Sequence, residues 1–163
     1  MRDIEIKIIK KLKGLRHVCN KIRQTRTIIL TTGAYDIMHK GHILYLNNAK
    51  ELGDILIVGI NDDCFTRKIK GPGRPYNNQE SRALVVASIV FVDFVYIFGI
   101  SEDVELIHAV RPHIFVMSSS SHRKPESRQH QINAVIKHGG KIKVFKPFYR
   151  VHSSDIIKKM KKS

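Results

Sequence analysis

The chain reads as an α/β protein: a doubly wound parallel sheet of about five strands with helices on both faces. Three observations predict this. Short apolar runs alternate with stretches of helical length, the order that builds parallel strand–helix–strand units. The run Ile55-Leu56-Ile57-Val58-Gly59-Ile60 is apolar without alternation, as a strand covered on both faces must be. Glycines close the intervening stretches, Gly53 before Asp54 and the pair Gly139-Gly140, where helices need a C-terminal stop.

The elements follow in order. From Met1 to Arg26, Ile4, Ile8, Ile9, Leu12, Leu15 and Val18 recur at mostly helical spacing among lysines and arginines. This predicts a basic amphipathic helix or helix pair, separate from a domain over 27–163. Docking on that domain is the simplest use of its apolar face; an anionic membrane surface or nucleic acid are the others. A strand over 27–31, a glycine turn and a helix over 40–52 come next, then the strand 55–60. Arg67-Lys68-Ile69-Lys70-Gly71-Pro72-Gly73-Arg74-Pro75 reads as a basic loop. A helix over 79–90 has Asn77 or Asn78 as its N-cap. Strand 94–98, helix 104–110, strand 114–117, helix 127–137 and strand 142–145 complete the alternation. Ser153 or Ser154 caps a terminal helix with a lysine tail. The apolar stretch from Ala83 to Ile100 contains Asp93 and closes at Gly99 and Ser101, so it reads as a buried helix and a buried strand, not a membrane span.

Composition sets bounds. With 163 residues and 42% hydrophobic content, the chain builds one globular core. Lys+Arg 29 against Asp+Glu 14 gives a net charge of +15, which attracts polyanions. Cys19 and Cys64 lack metal-ligand spacing, so free thiols in a cytoplasmic chain are expected. The lysines at 7, 10, 11 and 13 interrupt the N-terminal apolar residues and argue against a secretory signal.

The chemistry concentrates in Thr31-Thr32-Gly33-Ala34-Tyr35-Asp36-Ile37-Met38-His39-Lys40-Gly41-His42. A strand runs into a glycine turn and then a helix start. Helix N-termini offer unpaired N–H groups and the positive end of a dipole, a natural seat for phosphate. Gly33 and Gly41 permit close approach of a ligand to the backbone. His39 and His42 are three apart, on one helical face. A zinc pair at this spacing would need a third ligand, and no metal is assigned to protein side chains.

These residues carry a family resemblance. His39-Lys40-Gly41-His42 resembles the His-x-Gly-His signature of the nucleotidyltransferase superfamily, and Gly33-Ala34-Tyr35-Asp36 the Gly-x-Phe-Asp turn before it. The likeness runs from about Thr27 to Lys158. It is greatest to the domain that adenylylates heptose 1-phosphate, and next to glycerol-3-phosphate cytidylyltransferases. The resemblance implies a Rossmann-like fold, a nucleoside triphosphate and a small phosphorylated acceptor as partners, Mg²⁺ held mainly by nucleotide phosphates, and a homodimer. Catalytic roles fall on His39, His42 and Lys70. Nucleotide contacts fall on Thr32, Gly33, Ala34, Tyr35, Gly41, Asp63, Ser153 and Ser154. Arg82 matches the arginine of a Glu-x-Arg helix start and is expected to support the site without reacting.

There are departures from the pattern. After the strand at 114–117, the heptose enzymes carry Lys-Gly-Gly-Asp-Tyr; here the sequence is Ser118-Ser119-Ser120-Ser121-His122. Ser118, Ser119 and Ser120, with Asp36, are the acceptor contacts the resemblance leaves. Ser153-Ser154-Asp155-Ile156-Ile157 resembles the family's Ser-Thr-Thr-x-Ile-Ile, with Val151 at the usual glycine and Asp155 at the third position. Ala34 stands where cytidylyltransferases have threonine, which favours ATP over CTP. Alternatives of other classes are a non-catalytic nucleotide- or RNA-binding protein on the same fold and a membrane-associated lipid-precursor enzyme.

Overall fold

Alternate residues of the second strand point to opposite faces, and two separate cores result. Ile28 and Leu30 join Leu15, Cys19, Leu106, Val110 and Val135 on one face. Ile29 joins Leu46, Ala49, Ala83 and Val86 on the other. A strand buried on both sides has no polar face to offer, which is why these runs are continuously apolar. The computed structural model describes residues 4–119 and 128–147.

Six strands form the sheet: β1 (Ile8–Ile9), β2 (Ile28–Gly33), β3 (Ile55–Asn61), β4 (Phe94–Phe98), β5 (Ile114–Ser118) and β6 (Lys141–Phe145). Their order is β1-β4-β3-β2-β5-β6, and every pairing is parallel. The helices are α1 (Leu12–Ile22), α2 (Lys40–Lys50), α3 (Asp63–Lys70), α4 (Gln79–Ala87), α5 (Asp103–Val110) and α6 (Gln129–Lys137). Residues of α1, α5 and α6 lie in the first core, and residues of α2 and α4 in the second. The sheet is thus doubly wound, as expected.

The chain moves outward from β2 through β3 to β4, then crosses back to place β5 on the other side of β2. Between β2 and β5 the winding reverses. Ligands of open α/β sheets bind in the crevice at the carboxyl ends of such a strand pair. The turn after β2 opens into that crevice.

Three expectations change. Ile8 and Ile9, expected within a helix, form β1, paired with Val95 and Tyr96 of β4. Two adjacent β-branched residues satisfy the edge of β4 better than they extend a short helix. Lys7 reinforces the attachment, its Nζ donating to Ile89 O at 3.2 Å and Val92 O at 2.7 Å. The N-terminal segment is therefore partly sheet, and α1 packs through Leu15 and Cys19 into the first core. The basic stretch expected as a loop from Arg67 begins as helix, because α3 runs to Lys70. Asp62 caps that helix by accepting the N–H of Phe65 at 2.6 Å. The helix expected over 79–90 ends at Ala87. Asp93, the charge inside the apolar stretch, accepts the N–H of Leu56 at 2.7 Å and pairs with Lys50 at 2.6 Å. Among the described residues no helix is long and apolar enough to cross a membrane. The terminal helix, with Ser153 and Ser154, and also Ser120 lie outside the described residues.

Candidate active site

The turn after β2 is shaped by one ring. Tyr35 adopts a left-handed backbone, φ 49°. Its ring folds back over Gly33, where a Cβ would stand 2.8 Å from Tyr35 Cε2. Only glycine leaves that space. Tyr35 is 5% exposed, and burial pushes its phenol far above the ordinary range. It is thus a wall of the turn, not an acid. Ala34 is also buried, whereas Thr32 and Gly33 are partly exposed. Beneath the turn, Thr31 Oγ1 and Tyr45 OH lie 2.7 Å apart, and Tyr45 OH donates to Val116 O at 3.1 Å. This pair ties β2, α2 and β5 together across the reversal of winding. Neither residue is among the site residues that the sequence predicts. The available signal was that Tyr45 stands three residues after His42, near its face of α2.

The two histidines form a reciprocal cap. His39 is the N-cap of α2, and its Nδ1 accepts the N–H of Gly41 at 3.1 Å. His42 Nδ1 accepts the N–H of His39 at 3.3 Å. The rings are 4.1 Å apart between centroids, tilted by 48°, and Tyr35 stands 5.7 Å from His42. Each Nδ1 must offer a lone pair, so each neutral ring carries its proton on Nε2. Helix capping and tautomer selection are one act here. The Gly41 N–H is engaged by His39, so Gly41 serves the cap.

A second group of charges flanks the turn. Asp36 is 4% exposed, and its Oδ1 accepts the N–H of Tyr76 at 2.9 Å and of Asn77 at 3.0 Å. Its Oδ2 pairs with Arg74 Nη2 at 2.6 Å. This carboxylate anchors the loop over 74–77. Arg74 also lies 4.9 Å over the Tyr76 ring. Lys70 closes α3 beside these groups. Burial first, then Arg74 and Arg82, lower its pKa to about 8, while Asp36 opposes them. An amine poised at that value still carries its charge at neutral pH.

Arg82 is 1% exposed and binds four places at once. Its Nη1 donates to Ala34 O. Its Nε donates to Asn77 O at 3.0 Å, and its Nη2 to Asn61 O and Asp63 Oδ1, each at 2.8 Å. One guanidinium thus fixes the turn, the end of β3 and the loop before α4. Asp63, expected at the nucleotide, is engaged by this ion pair, and its N–H donates to Gln79 Oε1 at 3.0 Å. Ser118 ends β5, half buried; Ser119 is exposed, with its N–H donating to Phe145 O at 2.9 Å.

The fold therefore brings His39, His42, Lys70, Gly33, Tyr35 and Arg82 to the carboxyl end of the sheet. The arrangement supplies Nε2–H donors, a helix start and an ammonium, the set an extended phosphate chain requires. Among the described residues no group of three or more His, Cys, Asp or Glu is arranged to hold a metal ion. Asp36 and Asp63 are both paired to arginines.

Comparisons with known proteins bear on the family and the fold. The family model described as cytidylyltransferase-like matches residues 30–159. Among curated proteins, the bifunctional protein HldE of Campylobacter jejuni subsp. doylei is 44% identical over 108 residues, 66% of this chain and 23% of that protein. The protein of the same name from Helicobacter hepaticus is 42% identical over 121 residues, 74% of this chain and 25% of its own length. The chain thus spans about a quarter of the length of these curated relatives. Of solved structures, a lipopolysaccharide core biosynthesis protein from Thermoplasma volcanium superposes with a TM-score of 0.63 at 24% identity, covering 77% of this chain and 99% of that one. A pantoate-beta-alanine ligase from Francisella tularensis gives 0.62 at 14% identity, covering 94% and 76%. Both establish the fold. With the strand–turn–helix site and a family model covering most of its length, the chain belongs to the cytidylyltransferase-like family.

Proposed function

We propose that the chain is a nucleotidyltransferase that moves the nucleoside monophosphate unit of ATP onto a small sugar or polyol phosphate, releasing pyrophosphate. The observation that carries this is the reciprocal cap. It puts the proton of each neutral ring on Nε2 at the start of α2, directly after the turn that closes β2.

An acceptor phosphate oxygen attacks the α-phosphorus. The new P–O bond forms as the bond to the bridging oxygen breaks, and pyrophosphate carries away the electron pair. The attacking oxygen is already ionised, so no general base is needed. The protein's work is alignment and stabilisation of developing charge. His39 and His42 donate to oxygens around the α-phosphorus. Lys70 offsets charge on the β- and γ-phosphates. Arg82 holds Ala34, and so the turn, in place. When bound, Mg²⁺ would neutralise phosphate charge, with the nucleotide as its main ligand.

The resemblance to heptose 1-phosphate adenylyltransferase and the HldE relatives supports ATP and a sugar phosphate. A glycerol-3-phosphate-type cytidylyltransferase is the second reading. Buried Ala34, where those enzymes carry threonine, weighs against it. A cytoplasmic enzyme acting as a homodimer fits the same reading. Val90, 78% exposed, and Leu84 and Val85 of α4 offer an apolar surface that a second copy would cover.

The test is pyrophosphate release with ATP or CTP against a panel of sugar and polyol phosphates. Turnover with one pair supports the proposal. No turnover with any pair, together with RNA binding that displaces ATP, would establish a non-catalytic binding protein instead.

A further inference from the structure

The opposite end of the sheet, where α1, α5 and α6 finish, carries charged groups that the proposed reaction does not use. His108 Nδ1 and His138 Nε2 are 2.8 Å apart and join the last turn of α5 to the residue that follows α6. His113, just before β5, accepts the N–H of Ile28 on Nδ1 at 2.9 Å, which leaves Nε2 as its donor. Arg23, which follows α1, has its Nη1 buried with no bond partner. Arg111, which follows α5, is held at φ 47°, ψ 62°.

Two of these features are unusual. A buried guanidinium N–H without an acceptor is costly. A left-handed residue at a helix end is ordinarily glycine, because a Cβ is unfavourable there. After burial, Arg111, His108, Lys137 and Arg23 act to lower the pKa of His138. His113 is lowered by burial and then by Arg23. Three helix C-termini place partial negative charge nearby and account for cations gathering there. They give Arg23 Nη1 no partner, and they do not require an arginine at the left-handed position.

We propose that this end of the molecule holds a second anion site, in which Arg23, Arg111 and His138 receive a small oxyanion of the phosphate class. Two guanidinium forks and an imidazole supply enough donors for a tetrahedral dianion. The site is separate from the crevice at the carboxyl ends of the strands, and its existence does not depend on the proposed reaction.

The experiment follows the histidine ring protons by NMR in the full chain. It compares inorganic phosphate with chloride at equal ionic strength, and glucose 1-phosphate in a parallel arm. We expect phosphate to move the His138 signal saturably and to raise the pH at which it titrates, since a bound anion favours the charged ring. Response to both ligands assigns the site to the phosphate group alone; response only to the ester assigns it to a sugar phosphate. Arg111→Gly relieves the left-handed strain and so folds at least as well as the parent, yet loses roughly tenfold or more in phosphate affinity. His42→Ala, at the far end, retains the response. The proposal is overturned if chloride gives the same His138 shift, or if Arg111→Gly and Arg23→Gln both bind phosphate as the parent does.

Discussion

His42 Nδ1 accepts the backbone N–H of His39, and this bond decides which nitrogen of neutral His42 carries the ring proton. The prediction is that His42→Ala lowers kcat by roughly 10²–10³ while nucleotide affinity changes little. In the proposed reaction the Nε2–H donor would meet charge that grows in the transition state, so its loss should appear in turnover. Single-turnover rates and equilibrium nucleotide binding separate the two effects. A variant that keeps full turnover would remove His42 from the mechanism.

In the proposed reaction Lys70 should set an alkaline limit. With its pKa lowered to about 8, the side chain is charged below that pH and neutral above it. The value of kcat/KM for the nucleotide should fall as pH rises through about 8. Lys70→Arg keeps its charge and should abolish that limb. Stability moves the other way. Between about 8 and the ordinary lysine range, the unfolded chain binds more protons than the folded one, so the cost of burying this amine is relieved as pH rises. A pH profile with the same alkaline limb in Lys70→Arg refutes the assignment.

Arg82 is a structural tie, so its loss should be read first in stability. Arg82→Ala leaves the carbonyls of Ala34, Asn61 and Asn77 without this donor and unpairs Asp63. We expect a loss of roughly 3 kcal/mol in denaturant unfolding, with reduced turnover in the fraction that remains folded. A loss below about 1 kcal/mol contradicts a tying role, since surface substitutions commonly cost that little.

Gly33→Ala should disturb the turn through Tyr35. The added Cβ would lie 2.8 Å from the ring, so the ring or the turn must move. Overpacking of this kind costs about 1–3 kcal/mol, and movement of the turn should also lower turnover. The double variant Gly33→Ala with Tyr35→Leu removes the clash and should recover part of the stability. Thermal unfolding of both variants decides it; equal loss in the single and double variants places the strain elsewhere.

The sequence by itself determined the doubly wound architecture, the strand–turn–helix site and the family. These rest on local signals: continuous apolar runs, a glycine turn and two histidines one helical turn apart. Strand β1 was not legible. Two residues carry too little periodicity to separate a strand from a helix, and only the unsatisfied edge of β4 gives Ile8 and Ile9 their role. The tasks of Asp36 and Asp63 were also hidden. Sequence shows two carboxylates near a site, but not that Arg74 and Arg82 arrive from another part of the chain to engage them. The tautomers of His39 and His42 likewise depended on backbone N–H groups whose directions exist only once α2 has formed. Local pattern fixes which elements form; long-range pairing of buried polar groups fixes what each side chain has left to offer a ligand.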